Sequence, residues 1–257
     1  MIKKNKSVNV YKTDYYIDKY LNNRHHHNEL FESEKYFIPR ILKKNINILD
    51  VGCACGGFYN ILKTFEPTIN YYGVDISESL IMKASELYPK GNFSIYDTDK
   101  KKIKMDYYDL IQSWGVMLHE PKYKELIKEL WYSTKESLVF DIRGQIDVPE
   151  VINKNESFVL NPGGIKNYYI TVNLIDFIKY IFSLNPKPNF VEIFGYLGNP
   201  NKYTTLPESI KNVYMISLLI SKNKINKNQN KILLNVPDAL SKILYKKFSE
   251  EKGLILN

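Results

Sequence analysis

The segment Ile48-Leu49-Asp50-Val51-Gly52-Cys53-Ala54-Cys55-Gly56-Gly57 constrains this chain more than any other. An apolar run from Ile46 to Val51 ends on Asp and Gly, and so reads as a short strand buried on both faces. Only small residues follow, from Gly52 to Gly57, and helical apolar spacing then runs to Phe65, where Pro67 stops it. A strand that turns into a helix through residues this small leaves its backbone open to the close approach of a ligand.

The rest of the chain repeats the alternation. Tyr71 to Val74 reads as a second strand, closed by Asp75. Ser77 is an N-cap for a helix to Leu87. Phe93–Tyr96, Tyr108–Ser113 and Ser137–Asp141 read as further strands, with a helix over Lys122–Trp131. Strands alternating with helices at this spacing give βαβ units and a mainly parallel sheet. The pattern then changes: a helix over Leu174–Phe182 precedes two strands, Val191–Tyr196 and Val213–Ile220, with no helix between them. These are expected to pair antiparallel. Two helices, Tyr15–Leu21 and Leu30–Leu42, precede the sheet, and Pro237–Phe248 reads as a terminal helix. The expected division is a helical lid over 1–35, a main domain over 36–221, and a polar linker with the terminal helix over 222–257.

Composition narrows the function classes. A hydrophobic share of 44% with 25% charged residues is ordinary for a globular chain. No apolar run is long enough to cross a bilayer. Met1-Ile2-Lys3-Lys4-Asn5 is basic but has no apolar segment behind it, so no secretory leader is expected. The two cysteines, Cys53 and Cys55, are separated by one residue and read as small packing residues of a cytosolic protein. A net charge of +8 would suit a nucleic-acid partner, but the lysines are scattered and form no Arg-rich stripe. His25, His26 and His27 are consecutive and point in different directions, so no metal site is expected.

The register Gly52-x-Ala54-x-x-Gly57 comes close to a dinucleotide fingerprint. Two residues argue against one. Ala54 stands where a pyrophosphate would touch the backbone, and the Asp50 carboxylate would repel it. Asp50 would instead attract a cofactor bearing a sulfonium and an ammonium. Asp75 follows Gly52 by 23 residues, near the spacing of an acid that grips ribose hydroxyls.

Together with Gly73-Val74-Asp75-Ile76 and Tyr108 to His119, the loop resembles the class I S-adenosylmethionine-dependent methyltransferases, in particular their small-molecule group. The resemblance covers about residues 36–145. It implies a Rossmann-like doubly wound, mostly parallel seven-stranded sheet with a C-terminal antiparallel strand pair and an N-terminal helical lid. It implies that Asp50, Gly52, Cys53 and Gly56 line the methionine end of S-adenosylmethionine, with Arg24 of the lid on its carboxylate. Asp75 would bind the ribose, Ile76 would pack on the adenine, and Asp97 with Thr98 would meet the adenine amino group. Gln112, Ser113 and Trp114 would edge the sulfonium. Ala54 departs from the family's usual Gly.

Ligands of such sheets sit outside the carboxyl ends of the strands. There the sequence offers His119 as general base, Arg143 as a clamp for a carboxylate or phosphate, and Tyr168, Tyr169 and Asn173 as acceptor-pocket residues. An ion pair with Asp141 or Asp147 is the competing role for Arg143. The expected activity is methyl transfer to an O or N atom of a small-molecule acceptor, in surface-glycan or secondary-metabolite biosynthesis. The expected state is a cytoplasmic monomer or homodimer that binds neither membrane nor nucleic acid. An RNA or protein methyltransferase and a non-catalytic methyltransferase-fold partner are the alternatives.

Overall fold

The computed structural model describes residues 14–21, 24–96, 103, 107–161, 163–223 and 232–248. The chain divides into two compact units, Met1–Ser113 and Trp114–Asn257.

In the first unit, helices α1 (Asp14–Leu21) and α2 (Glu32–Ile41) precede strand β1 (Asn47–Val51). Helix α3 (Gly57–Phe65), strand β2 (Asn70–Asp75), helix α4 (Glu78–Leu87), and strands β3 (Asn92–Ile95) and β4 (Tyr108–Ser113) follow. The strands lie in the order β4-β1-β2-β3 and every pairing is parallel. Ile48 and Leu49 are both fully buried on β1, as expected of a strand covered on two faces. Each such side chain contributes roughly 1.5–3 kcal/mol. From β1 the chain steps outward through β2 to β3, then returns to place β4 on the other side of β1. That reversal creates a crevice beyond the carboxyl ends of β1 and β4, where doubly wound sheets hold ligands. The loop from Gly52 to Gly56 leaves β1 at that point. Ser77 caps α4 by accepting from the Leu80 N–H at 3.5 Å, as its position in the sequence predicts.

The second unit begins with a 3-10 turn (Met117–His119) and helix α5 (Tyr123–Ser133), which leads into the long strand β5 (Thr134–Gln145). Short strands β6 (Phe158–Leu160), β7 (Lys166–Tyr168) and β8 (Val172–Asn173) precede helix α6 (Leu174–Ser183). Strands β9 (Phe190–Leu197), β10 (Thr204–Thr205), β11 (Tyr214–Ser221) and β12 (Ile232–Asn235) and helix α7 (Asp238–Phe248) complete it. β9 and β11 pair antiparallel along their whole length, as expected, and β11 pairs antiparallel with β5.

Two features differ from the expectation. Residues 232–235 fall in the segment read as a linker, yet they form β12, parallel to β9, with Ile232 fully buried. Four residues beside an Asn/Lys-rich stretch carry no periodicity to read. The loop between β9 and β11 likewise contains β10, which joins β6 and β7 in a separate three-stranded antiparallel sheet. Strands of two and three residues are too short for alternation to show. Among the described residues, no helix is long and apolar enough to cross a membrane.

Candidate functional site

In the first unit the loop after β1 takes left-handed backbone at Gly52 (φ 84°), Ala54 (φ 48°) and Gly56 (φ 78°). Ala54 holds this conformation at a cost of roughly 1–2 kcal/mol, because its Cβ crowds the next carbonyl. The N–H groups of Gly52 and Cys53 both donate to the Val74 carbonyl, at 2.8 and 3.0 Å. The Ala54 N–H donates to Asp75 Oδ2 at 3.0 Å, and the Ser77 N–H to Asp75 Oδ1 at 2.9 Å. The Ile76 N–H also acts on this carboxylate, so Asp75 braces the loop, and when ionised it keeps acceptor capacity for a ligand. Burial raises its pKa, and these backbone donors oppose the rise.

Cys53 and Cys55 are buried, as packing residues. A Cβ on Gly73 would lie 2.9 Å from Cys53 Sγ, so the thiol occupies the space that this glycine leaves. A Cβ on Gly57 would meet the Arg24 carbonyl at 1.9 Å, which makes Gly57 the seat of the segment before α2. The Asn60 amide holds the same segment, donating to the His25 carbonyl at 2.8 Å. The His25 ring nitrogens engage the Tyr88 hydroxyl at 2.6 Å and the Tyr20 carbonyl at 2.7 Å.

Asp50 is only 1% exposed, and its Oδ2 accepts the Tyr71 hydroxyl at 2.6 Å. Burial pushes its pKa up to about 6, against the opposing pull of Tyr71, Gln112 and the charge of Arg24. Gln112 ends β4 at 0% exposure. Its amide is near enough to Asp50 to act on the carboxyl. Yet neither its nitrogen nor its oxygen makes a hydrogen bond of acceptable geometry among the described residues. Ser113 is taken up structurally, donating to the Val51 carbonyl at 3.0 Å. Arg24 pairs with the buried Glu34 at 3.3 Å and lies 4.5 Å from the centre of the Phe31 ring. Its buried Nε makes no hydrogen bond among the described residues. Ile76, just past β2, is 36% exposed. Asp97 and Thr98 lie outside the described residues.

These leftover groups fit one kind of ligand. An amino-acid zwitterion beside a second cation matches an unpartnered Arg24 donor, a buried carboxylate and an unsatisfied amide. A ribose diol matches the remaining lone pairs of Asp75, and an exposed apolar side chain beside it suits an aromatic base. A buried amide left unmade costs roughly 1–3 kcal/mol, which a ligand would recover.

The second unit holds the expected acceptor residues. His119 Nδ1 lies 2.5 Å from the Tyr168 carbonyl. A carbonyl only accepts, so Nδ1 carries the proton and Nε2 is the basic nitrogen of neutral His119. Asp141 Oδ1 accepts the Gly115 N–H at 2.5 Å, and Oδ2 accepts Arg143 Nη1 at 2.6 Å. Burial works against the charge of Arg143, but Asp141 and Tyr169 outweigh it and keep the guanidinium protonated. The competing ion pair with Asp141 is thus present. Asn173 is occupied at both ends: Oδ1 caps α6, accepting from Ile175 at 3.1 Å and Asp176 at 3.4 Å, while Nδ2 donates to the Val148 carbonyl at 2.9 Å. Tyr168 is half-buried under Lys154, whose ammonium lies 5.1 Å from the ring centre, and Tyr169 is buried. Trp114, the first residue of this unit, is buried. Thr171, which sequence reasoning passed over, is fully buried with no hydrogen bond to its hydroxyl among the described residues. A lone Thr in a loop carries no signal for this.

Residues 23–138 match the family model described as a methyltransferase domain. A protein of Invertebrate iridescent virus 6 that carries a methyltransferase name is 28% identical over 83 residues, which are 32% of this chain and 31% of that one. The match thus spans about a third of the relative's length. Among solved structures, phosphoethanolamine N-methyltransferase 2 of Haemonchus contortus, in complex with S-adenosyl-L-methionine, superposes with a TM-score of 0.53 at 12% identity. It covers 75% of this chain and 52% of that one. A SAM-dependent methyltransferase from Methanosarcina mazei gives 0.50 at 14%, over 75% and 98% of the two chains. At these identities the structures speak to the fold.

Proposed function

We propose that the chain, whose residues 23–138 match a methyltransferase-domain family model and whose fold is that of S-adenosylmethionine-dependent methyltransferases, methylates an oxygen or nitrogen of a small-molecule acceptor. One observation carries the cofactor assignment within this chain: the Gln112 amide, sealed from solvent and unsatisfied beside Asp50. Asp50 and Gln112 would meet the positive groups of the methionine moiety, and Arg24 Nε its carboxylate. Asp75 would hold the ribose hydroxyls and Ile76 the adenine face.

When bound, the cofactor supplies an electrophilic methyl group whose in-line displacement is fast once the nucleophile is held in place. The residues of this chain do the holding. His119 would take the proton of an acceptor hydroxyl or ammonium at Nε2, its Nδ1 fixed by the Tyr168 carbonyl. Arg143, Tyr168 and Tyr169 would contact the acceptor, which we place in surface-glycan or secondary-metabolite biosynthesis. Scattered lysines favour a small acceptor over RNA.

Calorimetric titration with S-adenosylmethionine tests the reading, with NADH as the control. Micromolar binding is expected for the wild type, at least tenfold weaker binding for Gln112→Leu, and none for NADH. A folded wild-type protein that ignores S-adenosylmethionine would refute it.

A further inference from the structure

The second unit carries its own unsatisfied donors, and they share one face. β8 pairs parallel with β5 in the register Gly144↔Val172 and Gln145↔Asn173. Arg143 directly precedes Gly144 and Thr171 directly precedes Val172, so these two continue the register by one step. Level residues of parallel strands point to the same side.

On the polar side Asp141 is satisfied by the Gly115 N–H and by Arg143 Nη1. Nη1 also donates to the Ile142 carbonyl at 3.3 Å. The Tyr169 hydroxyl also acts on the guanidinium, yet Arg143 Nε–H itself, buried, and the hydroxyl of Thr171, which is 0% exposed, make no hydrogen bond among the described residues. Both want an acceptor. An uncharged apolar ligand would leave them unmet, and a cation would be repelled by Arg143. The Nε edge of a guanidinium matches the two oxygens of a carboxylate or phosphate.

Resting on the methyltransferase reading above, we infer that the methyl acceptor is an acidic small molecule whose carboxylate or phosphate is bound by Arg143 Nε and the Thr171 hydroxyl. The shared chemistry is an oxyanion, and Asp141 is the positioning residue that holds the guanidinium from its other side.

The test needs no acceptor in hand. The Nε–H NMR signal of Arg143, assigned by its disappearance in Arg143→Lys, is followed in the full chain during titration with sodium acetate and, separately, inorganic phosphate. A saturable shift is expected, and the tighter of the two anions names the group. Thr171→Val removes a buried hydroxyl that has no partner, so its unfolding midpoint rises while anion affinity falls about tenfold. Arg143→Lys keeps a charge against Asp141 but loses the Nε donor, and weakens the anion at least as much. S-adenosylmethionine titration of the same samples separates the two readings. Intact cofactor binding with no anion shift overturns the inference alone, as does an anion affinity unchanged in Thr171→Val. An anion site in a chain that ignores S-adenosylmethionine overturns its assignment to a methyl acceptor.

Discussion

Asp50→Asn should stabilise the ligand-free protein at neutral pH and abolish its function. The side chain is almost wholly buried, and its pKa is pushed from 3.8 up to about 6. At 1.36 kcal/mol for each unit, that rise amounts to about 3 kcal/mol. The sign follows from proton counting. Between about pH 4 and 6 the folded chain holds a proton on Asp50 that the unfolded chain has released, so stability falls as pH rises through that window. Above it the full cost of a buried charge is present. Asn keeps the shape, still accepts the Tyr71 hydroxyl, and carries no charge. Urea unfolding at pH 7.5 should therefore show Asp50→Asn more stable than wild type by up to about 3 kcal/mol, with the gap closing towards pH 4. A bound cation reverses the preference, since it needs the ionised form. Wild-type affinity for S-adenosylmethionine should fall about tenfold for each pH unit below 6, and the variant should bind weakly with no such slope. A variant equally or less stable at pH 7.5, or a wild-type affinity flat from pH 5 to 8, would show that Asp50 neither stores this cost nor meets a cation.

Three further outcomes are expected. Gly57→Ala puts a methyl group into the Arg24 carbonyl, so it should cost about 1–3 kcal/mol and speed amide hydrogen exchange over residues 24–31. His119→Gln should leave S-adenosylmethionine affinity unchanged in calorimetry while lowering kcat by roughly 10²–10⁴, and the acidic limb of the pH–rate profile should vanish. Trp131→Ala empties a fully buried site and strands the Pro186 carbonyl that its Nε1–H reaches at 2.6 Å; it should cost about 3–5 kcal/mol in chemical unfolding.

Much of this was legible in sequence because local chemistry and global fold agreed. Ile48 and Leu49 are apolar on opposite faces because the strand is covered on both, and Ser77 stands where a helix needs an acceptor. The antiparallel pair was readable from two apolar runs with no helix between them. What stayed hidden depends on partners distant in the chain. Ile232–Asn235 becomes a strand only because β9 offers an edge. Nothing around Thr171 reveals that its hydroxyl is sealed in. Asn173, taken for a ligand of the acceptor, is consumed by the cap of α6, a role that its place just before Leu174 could have suggested. Glu34, to which the sequence assigns no role, is buried and paired with the Arg24 guanidinium.

Asp75 gives the cofactor loop an unusual kind of inheritance. Its two oxygens fix the backbone at Ala54, after β1, and at Ser77, after β2, before any ligand arrives. If Asp75 also holds the ribose, as proposed, then shape and recognition depend on one carboxylate. A drift towards Asn would leave one oxygen for two N–H groups and would turn an acceptor into a donor facing the other. A drift towards Glu would push the brace outward by a methylene and open the left-handed turn at Ala54.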